Sequence, residues 1–167
     1  MIDYRAIETL IVDGLTAHLT SKGYTCPVIM ANQTSPTPNY PYLAYTVTVP
    51  VAANMKGYSV AADGTRYKPI AQTWSFTAQS DDDVEAVNVA MEAYDWFALA
   101  GNTYLSDNNI VAQRVGNISN RDNLISIEYE YRQGFDVDFL LMHTLDKAEC
   151  ETAGYINSAQ IKSEMEV

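Results

Sequence analysis

The residues of this sequence that could most readily take part in chemistry are four carboxylates. All four occupy even-numbered positions of one segment. They are Glu128, Glu130, Asp136 and Asp138, all within the segment EYEYRQGFDVDFLL. A pair of carboxylates can carry out glycoside hydrolysis when both face a cleft. Here apolar residues occupy the other parity, so a β-strand would place all four carboxylates on one flat face. This pattern favours a surface role over catalysis.

Other groups that could support catalysis are few. The chain has two histidines, His18 and His143, and two cysteines, Cys26 and Cys150. It contains no HExxH, GxSxG, GxGxxG or P-loop pattern, and the cysteines fit no CxxC or zinc-ligand spacing. We therefore expect a protein that is not an enzyme and holds no metal or cofactor. Two free thiols are typical of a reducing compartment.

The charge balance narrows the possible partners. The 167 residues carry a formal net charge of −11, whereas electrostatic binding to nucleic acid requires a basic surface. No apolar run approaches the roughly 20 residues of a membrane-spanning helix, and the segment MIDYRAIETLIVDG lacks the features of a signal peptide. We expect one domain that does not bind DNA specifically and does not enter a membrane.

Two main helices are predicted from apolar residues at helical spacing. They cover Asp3–Ser21, with Asp3 as N-cap and Gly23 as the stop signal, and Ser80–Ala100. In the second helix we expect Ser80 as the N-cap, aspartates in the first turn and Gly101 as the C′ residue. Its buried stripe is expected at Val84, Val87, Met91, Tyr94 and Ala98.

Alternating apolar residues predict strands at 27–31, 42–51, 70–79 and 110–115. Asp63 and Gly64 are typical of a two-residue hairpin turn, which would pair Val60 with Tyr67. The expected fold class is α+β, with a mostly antiparallel β-sheet that contains hairpins and is flanked by the two main helices.

The segment 124–142 would span roughly 60 Å as one straight strand, which is long for a small domain. We therefore predict a hairpin with a three-residue loop, Arg132-Gln133-Gly134, in which Gly134 adopts a left-handed conformation. This register places Glu130 opposite Asp136, and like charges in that position are destabilising. A single strand bent by a bulge at Gly134 would avoid the clash. Alternatively, Arg114, Arg121 or a neighbouring subunit would supply the compensating charge. A bound cation is a third possibility, although four carboxylates across a flat sheet face seldom converge on one ion.

The order of these elements resembles that of the neck and tail terminator proteins of tailed bacteriophages, in particular the neck terminator family. The motif that carries the likeness is E-x-R-x-G-F-D-V, which runs from Glu130 to Val137, and the unit SFTAQSDDDVEAVNVAMEAYDWF supports it. The likeness covers roughly residues 1–145, which we expect to form a single terminator-like domain. Residues 146–167 would be a C-terminal extension, with a short helix around Ile156 to Ile161 that docks on a partner.

The resemblance implies a structural virion protein of the phage neck that is assembled in the host cytoplasm. It implies a homo-oligomeric, hexameric ring that ends the tail tube and joins it to the head–tail connector or stopper, while DNA passes through the middle. Another joining component, such as a stopper or a tail tube subunit, and a monomeric β-rich binding module remain alternatives. Candidate interaction residues are Asp63, Gly64, Glu128, Glu130, Arg132, Gly134, Asp136 and Asp138, whose carboxylates would repel DNA phosphates or meet the next subunit.

Overall fold

Four α-helices lie within the part of the chain that the computed structural model describes, which comprises residues 2–32, 36–52, 57–125 and 128–152. A π-helical turn, Trp96–Ala100, joins the second helix to the third. None of the described helices is long and apolar enough to cross a membrane. The helices are α1 (Tyr4–Ser21), α2 (Asp83–Asp95), α3 (Asn102–Asp107) and α4 (Lys147–Thr152).

The strands form a mostly antiparallel sheet with the order β1-β2-β4-β8-β5. Among the described strands only β1 runs parallel to its neighbour. Strand β3 pairs with β4, and both β6 and β7 pair with β8. The predicted α+β class is therefore confirmed. The strands are β1 (Val28–Met30), β2 (Tyr42–Ala52), β3 (Ser59–Val60), β4 (Arg66–Ser80), β5 (Ile110–Val115), β6 (Ser119–Asn120), β7 (Asn123–Ile125) and β8 (Glu128–Leu145).

Helix α1 has the ends that its sequence predicts. The Asp3 carboxylate accepts a hydrogen bond from the Ala6 N–H at 3.1 Å, as an N-cap does. At the other end, Gly23 has a φ of +89° and the Tyr24 N–H donates to the Leu19 carbonyl. These are the features of a Schellman motif, in which glycine adopts the left-handed conformation without steric cost.

Helix α2 begins differently from the prediction. The N-cap is Asp82, whose carboxylate accepts from the Glu85 N–H at 2.8 Å. Ser80 is instead the last residue of β4, and its hydroxyl donates to the Glu85 carboxylate at 2.6 Å while it accepts from the Asp82 N–H. The prediction of Ser80 as the cap was wrong because the strand continues up to it.

The buried stripe of α2 is also different from the predicted one. Val84 and Met91 are 65% and 51% exposed. The face that packs on the sheet is made of small residues, Ala86, Val89, Ala90 and Ala93, followed by Trp96 and Phe97. Alanine lets the helix approach the sheet closely, and Val84 and Met91 face outward. The prediction was therefore wrong for these two residues, whereas Tyr94 does pack against the core, with its ring 5.8 Å from that of Phe135.

Gly101 does not end α2 in the predicted way. Its φ is −88°, so it is not a left-handed C′ residue, and α3 begins directly after it. A Cβ atom on Gly101 would lie 2.6 Å from Cε2 of Trp96. Glycine is required here because the indole ring packs against the backbone.

The predicted hairpin at Arg132–Gly134 is wrong, because β8 is one strand of 18 residues. It pairs with β4 without a register shift, from Arg66 opposite Leu145 to Ser80 opposite Tyr131. Gly134 lies inside this ladder, opposite Thr77. The length that argued against one strand is accommodated because β4 is itself 15 residues long.

A hairpin does connect β3 to β4, with a register one residue from the prediction. Val60 pairs with Arg66, and the Ala61 N–H donates to the Thr65 carbonyl at 2.9 Å. The loop therefore contains three residues, and only Gly64, with a φ of +87°, is left-handed. The Asp63 carboxylate accepts from the Thr65 N–H at 2.9 Å and holds the turn.

The core lies between one face of the sheet and the helices. It is built around five fully buried aromatic residues, Trp74, Phe76, Phe97, Phe135 and Phe139. On β4 and β8 these aromatic residues occupy alternate positions that point to the core, as the alternating sequence pattern predicts. The intervening residues of these strands point to the opposite side of the sheet, which we call the open face.

Helix α4 begins with a reciprocal cap between Asp146 and Glu149. The Glu149 N–H donates to the Asp146 carboxylate at 2.7 Å, and the Asp146 N–H donates to the Glu149 carboxylate at 3.1 Å. The helix predicted around Ile156 to Ile161 lies outside the described residues.

The corrected face of α2 can be tested with two adjacent positions. We expect Ala90→Leu to lower the free energy of unfolding by about 1–3 kcal/mol, because the added atoms overpack the contact between helix and sheet. Met91→Ala should change it by less than about 0.5 kcal/mol, because its side chain is half exposed. Urea denaturation of dilute protein measures both. If Met91→Ala proves the costlier change, our assignment of the buried side is wrong.

Candidate interaction surface

Three ion pairs occupy the open face of the sheet where the sequence suggests bare carboxylates. Arg114 Nε lies 2.8 Å from Asp138 Oδ2, and Arg121 Nη2 lies 3.1 Å from Asp136 Oδ1. The third pair, Arg132 with Glu130, is formed by two residues of β8 itself. The expectation that Arg114 or Arg121 supplies compensating charge is confirmed. The open face is therefore close to neutral around these carboxylates.

No like charges face each other across the strands in this arrangement. Asp136 is opposite Ser75, and Asp138 is opposite Thr73, whose hydroxyl donates to the Asp138 carboxylate at 2.7 Å. Arg114 is the residue of β5 that pairs with Asp138. The clash expected from the hairpin register is absent from this part of the described sheet because the hairpin does not form.

Gly134 leaves space for a guanidinium group that crosses the strand. Arg121 Nη1 donates to Ser75 Oγ at 2.7 Å and to Thr77 Oγ1 at 3.0 Å. A Cβ atom on Gly134 would lie 2.7 Å from the same Nη1 atom. Gly134 is not among the glycines with positive φ. The glycine is thus required for close approach, and the predicted left-handed conformation was wrong.

Asp136 is stabilised in its charged form by these neighbours. Burial alone would raise the pKa of Asp136, but hydrogen bonds from Ser75 and Arg121 outweigh it. Together with the positive charges of Arg121 and Arg114, they lower the pKa of this carboxyl group below its ordinary value.

Glu130 is a buried carboxylate at the end of the open face near Ser80, with 5% of its surface exposed. It accepts hydrogen bonds from Tyr40 Oη at 2.8 Å, Tyr42 Oη at 3.2 Å and Arg132 Nε at 2.6 Å. Burial, followed by the hydrogen bond to Glu130, raises the pKa of Tyr40 to about 12. We call these four residues the Glu130 cluster.

The Glu130 cluster fixes the end of the segment 36–41, which contains three prolines and precedes β2, onto β8. Tyr42 also donates to Gln79 Oε1 at 2.7 Å, which links β2 to β4. The Arg132 N–H donates to the Asp122 carboxylate at 2.7 Å, which ties in the turn before β7. Sequence reasoning picked out Glu130 and Arg132 but missed Tyr40, which is distant in the chain and carries no signal of this contact.

Two of the remaining predicted interaction residues, Asp63 and Gly64, are separate from this surface. Asp63 and Gly64 lie on the turn between β3 and β4, and Asp63 is exposed. The backbone of Glu128 begins β8 opposite Ile125, but its side chain lies outside what the structure describes. The structure therefore brings together Glu130, Arg132, Gly134, Asp136 and Asp138 along one strand, apart from the hairpin tip.

The unpaired negative charge of the described chain lies mainly on the helical side. Around α1, α2 and α3 the cations are Arg5 and Lys22, and Lys22 is 3.4 Å from Glu92. We call the carboxylates of these helices and their caps the acidic layer. They are Asp3, Glu8, Asp13, Asp81, Asp82, Asp83, Glu85, Glu92, Asp95 and Asp107.

The groups with catalytic potential do not come together. His18 Nε2 lies 3.5 Å from Glu92 Oε2 and bridges α1 to α2, whereas His143 lies near the end of β8. Cys26 is buried, and burial together with the charge of Glu85 raises the pKa of its thiol to about 12. Within the described ranges, no group of three His, Cys, Asp or Glu side chains could share a metal ion.

Comparison with known protein families identifies the class to which this chain belongs. A family model described as phage neck terminator protein matches residues 4–166, and the chain belongs to that family. A search of curated proteins found none that matches the chain. The protein is accordingly a structural component of the phage neck that associates with other tail or head–tail proteins in the virion. The match includes the residues after 145.

The close contact between Gly134 and Arg121 predicts that substitutions at the two positions have coupled effects on the free energy of unfolding. We expect Gly134→Ala to lower the free energy of unfolding by about 1–3 kcal/mol, because the methyl group displaces the guanidinium from its partners. In an Arg121→Ala background the same change should cost less than about 0.5 kcal/mol, since the space is then empty. A double-mutant cycle by urea denaturation measures the coupling. Additive effects would show that Gly134 acts through its backbone conformation instead.

The Glu130 cluster predicts that two arginines of the open face contribute unequally to the free energy of unfolding. Arg132→Ala should lower the free energy of unfolding by about 3 kcal/mol, because it leaves a buried carboxylate without its cation. Arg114→Ala removes a pair whose arginine side chain is 73% exposed and should cost less than about 1 kcal/mol. Thermal denaturation of both variants tests this order. Equal losses would contradict a special role for the buried pair.

The lowered pKa of Asp136 predicts a dependence of stability on pH. A carboxyl group with a depressed folded-state pKa stabilises the protein above its unfolded-state pKa of about 3.9, and that stabilisation is lost as pH falls through the folded-state value. Asp136→Asn should therefore be less stable than the parent at pH 7 and equally stable at the lowest pH reached. Urea denaturation across pH measures the difference. A gap that widened on acidification would oppose this assignment.

Proposed function

We propose that the protein assembles into a closed ring of six copies that ends the tail tube and joins it to the head–tail connector or stopper. DNA passes through the middle of the ring. The observation that carries this proposal is the family match over residues 4–166. The six-fold number and the identity of the neighbours come from the resemblance to terminator proteins.

The surfaces of the fold are suited to a ring. The two sides of the sheet differ, because one is covered by helices that carry the acidic layer and the other is the nearly neutral open face. Two unlike surfaces allow a heterologous contact between copies, and such contacts close into a ring when the rotation between copies permits it.

The charge of the protein supports the passage of DNA without specific binding. The net charge of −11 disfavours retention of a polyanion. The carboxylates of the open face contribute little to repulsion, because Arg114, Arg121 and Arg132 pair with them. Unpaired carboxylates of α1 and α3 provide repulsion over about a Debye length, roughly 8–10 Å.

The C-terminal residues have a separate role in this proposal. We place the ring-forming domain at 1–145 and assign 146–167 as an extension that docks on the tube or the connector. Helix α4, which opens this extension, packs Lys147 against Gly64 at the hairpin tip. The extension therefore starts from the distal end of the sheet.

A tube assembly assay tests the proposed function. The purified protein is added to polymerising tail tube subunits of the same phage, and tube lengths are measured by electron microscopy. We expect shorter tubes that end in a ring at one end, because a terminator stops growth. An equal amount of an unrelated acidic protein is the control. Long mixed stacks would identify the protein as a tube subunit, and unchanged tubes would contradict termination.

A further inference from the structure

An exposed apolar stripe runs along the outer side of α2 and the π-helical turn. Val84, Met91 and Leu99 are 65%, 51% and 73% exposed. Seven-residue spacing places Val84 and Met91 on the same side of the helix, and the wider π-helical turn brings Leu99 round to that side. Asp95 lies between Met91 and Leu99 on this side. We call Val84, Met91 and Leu99 the outer α2 stripe.

The stripe is bordered by carboxylates without a cation. Asp81 and Asp83 lie at the start of α2, and Asp95 lies near its end. Within the described residues, none of these three carboxylates has an ion-pair partner. Solvent-exposed apolar side chains in line with unpaired acidic groups fit a partner that is both apolar and basic.

The hairpin formed by β3 and the start of β4 has the complementary character. We call residues 57–69 the arm. Tyr58 and Val60 are 55% and 58% exposed. The Arg66 guanidinium lies 5.1 Å from the centre of the Tyr58 ring. No described carboxylate forms an ion pair with Arg66 or Lys68.

The exposed apolar side chains and the cationic side chains lie on one face of the arm. Val60 is directly opposite Arg66, so both side chains lie on the same side of the hairpin, and Lys68 follows on that side. Asp63, the acidic residue of the tip, accepts the Thr65 N–H and holds the turn. The face of the strands is therefore apolar and basic, although the tip carries one carboxylate.

The arm and the outer α2 stripe lie apart within one copy. Arg66 and Ser80 are the two ends of β4, and a strand of that length spans roughly 45 Å. Helix α2 starts just beyond Ser80, and the π-helical turn after it returns as far as Phe97, which packs on Phe76 at 4.7 Å and on Phe139 at 5.6 Å. Phe139 is opposite Gln72, which is still six residues from Arg66 along β4, or roughly 20 Å.

We propose that the arm of one copy packs on the outer α2 stripe of a neighbouring copy. Val60 and Tyr58 cover Met91 and Leu99, while Arg66 and Lys68 face the carboxylates of Asp81, Asp83 and Asp95. The contact joins two different surfaces, so it is heterologous, and its repetition closes a ring if the rotation between copies is one sixth of a turn. This inference rests on the proposed ring and identifies the contact that closes it.

Disulfide trapping between two variants tests the contact. One preparation carries Val60→Cys and the other carries Met91→Cys, each in a Cys150→Ser background in which Cys26 is buried. After mixing and mild oxidation we expect a covalent dimer that neither preparation forms alone. Thr103→Cys, an exposed position on α3, replaces Met91→Cys in the matched control and should give at least tenfold less dimer.

Charge reversal supplies an independent test on the assembled protein. Arg66→Glu should raise the dissociation constant of the assembly at least tenfold in sedimentation velocity, because it places a carboxylate against the acidic border. Arg5→Glu makes the same change of charge on α1 and should alter it less than twofold. Adding Asp83→Arg and Asp95→Arg to Arg66→Glu should restore assembly. Circular dichroism checks that every variant is folded.

The outcomes separate this contact from the proposed function. A wild-type protein that is monomeric at all concentrations would overturn both the ring and the contact. A wild-type ring that Arg66→Glu weakens no more than Arg5→Glu, with no dimer from the mixed cysteine variants, would overturn the contact and leave the ring. That second result is the one expected if the arm binds a tube or connector protein instead of a neighbouring copy.

Discussion

The structure depends on the long antiparallel pairing of β4 with β8. The register holds from Arg66–Leu145 to Ser80–Tyr131 without a bulge. Because side chains alternate along a strand, a slip of one residue would move Phe135 and Phe139 out of the core and bring Asp136 into it. The aromatic core on one side of the sheet, the ion pairs on the other and the position of the arm all follow from this register.

The open face shows how an acidic sequence pattern becomes a neutral surface. The parity of β8 sends its carboxylates to one side, and the arginines that pair with them come from β5, from the turn before β7 and from β8 itself. The acidic layer on the helices then accounts for the unpaired charge of this part of the chain. In our proposal the same layer disfavours DNA retention and presents the border that the arm of the next copy meets.

Local patterns were sufficient to predict α1 with both its ends, the strands β1, β2, β4 and β5, and the alternation of core residues, because each depends on neighbouring residues. They were not sufficient for β8, which was predicted as a hairpin. Features decided by distant packing were not predictable in this way. Sequence shows that residue 134 is glycine, but not that the Arg121 guanidinium crosses it, and it does not show that alanines bring α2 close to the sheet. The contact of Tyr40 with Glu130 joins residues 90 positions apart. Only the resemblance to terminator proteins pointed to the family.

The core, the ion pairs and the position of the arm all require β8 to continue through Gly134 between β4 and β6, and amide hydrogen exchange measures this directly. Gly134 is paired with Thr77 on one side and Ser119 on the other. We predict that the amides of residues 132–136 exchange as slowly as those in the middle of β4. Exchange of 132–134 at the rate of an exposed turn would restore the hairpin and contradict the register on which the rest depends.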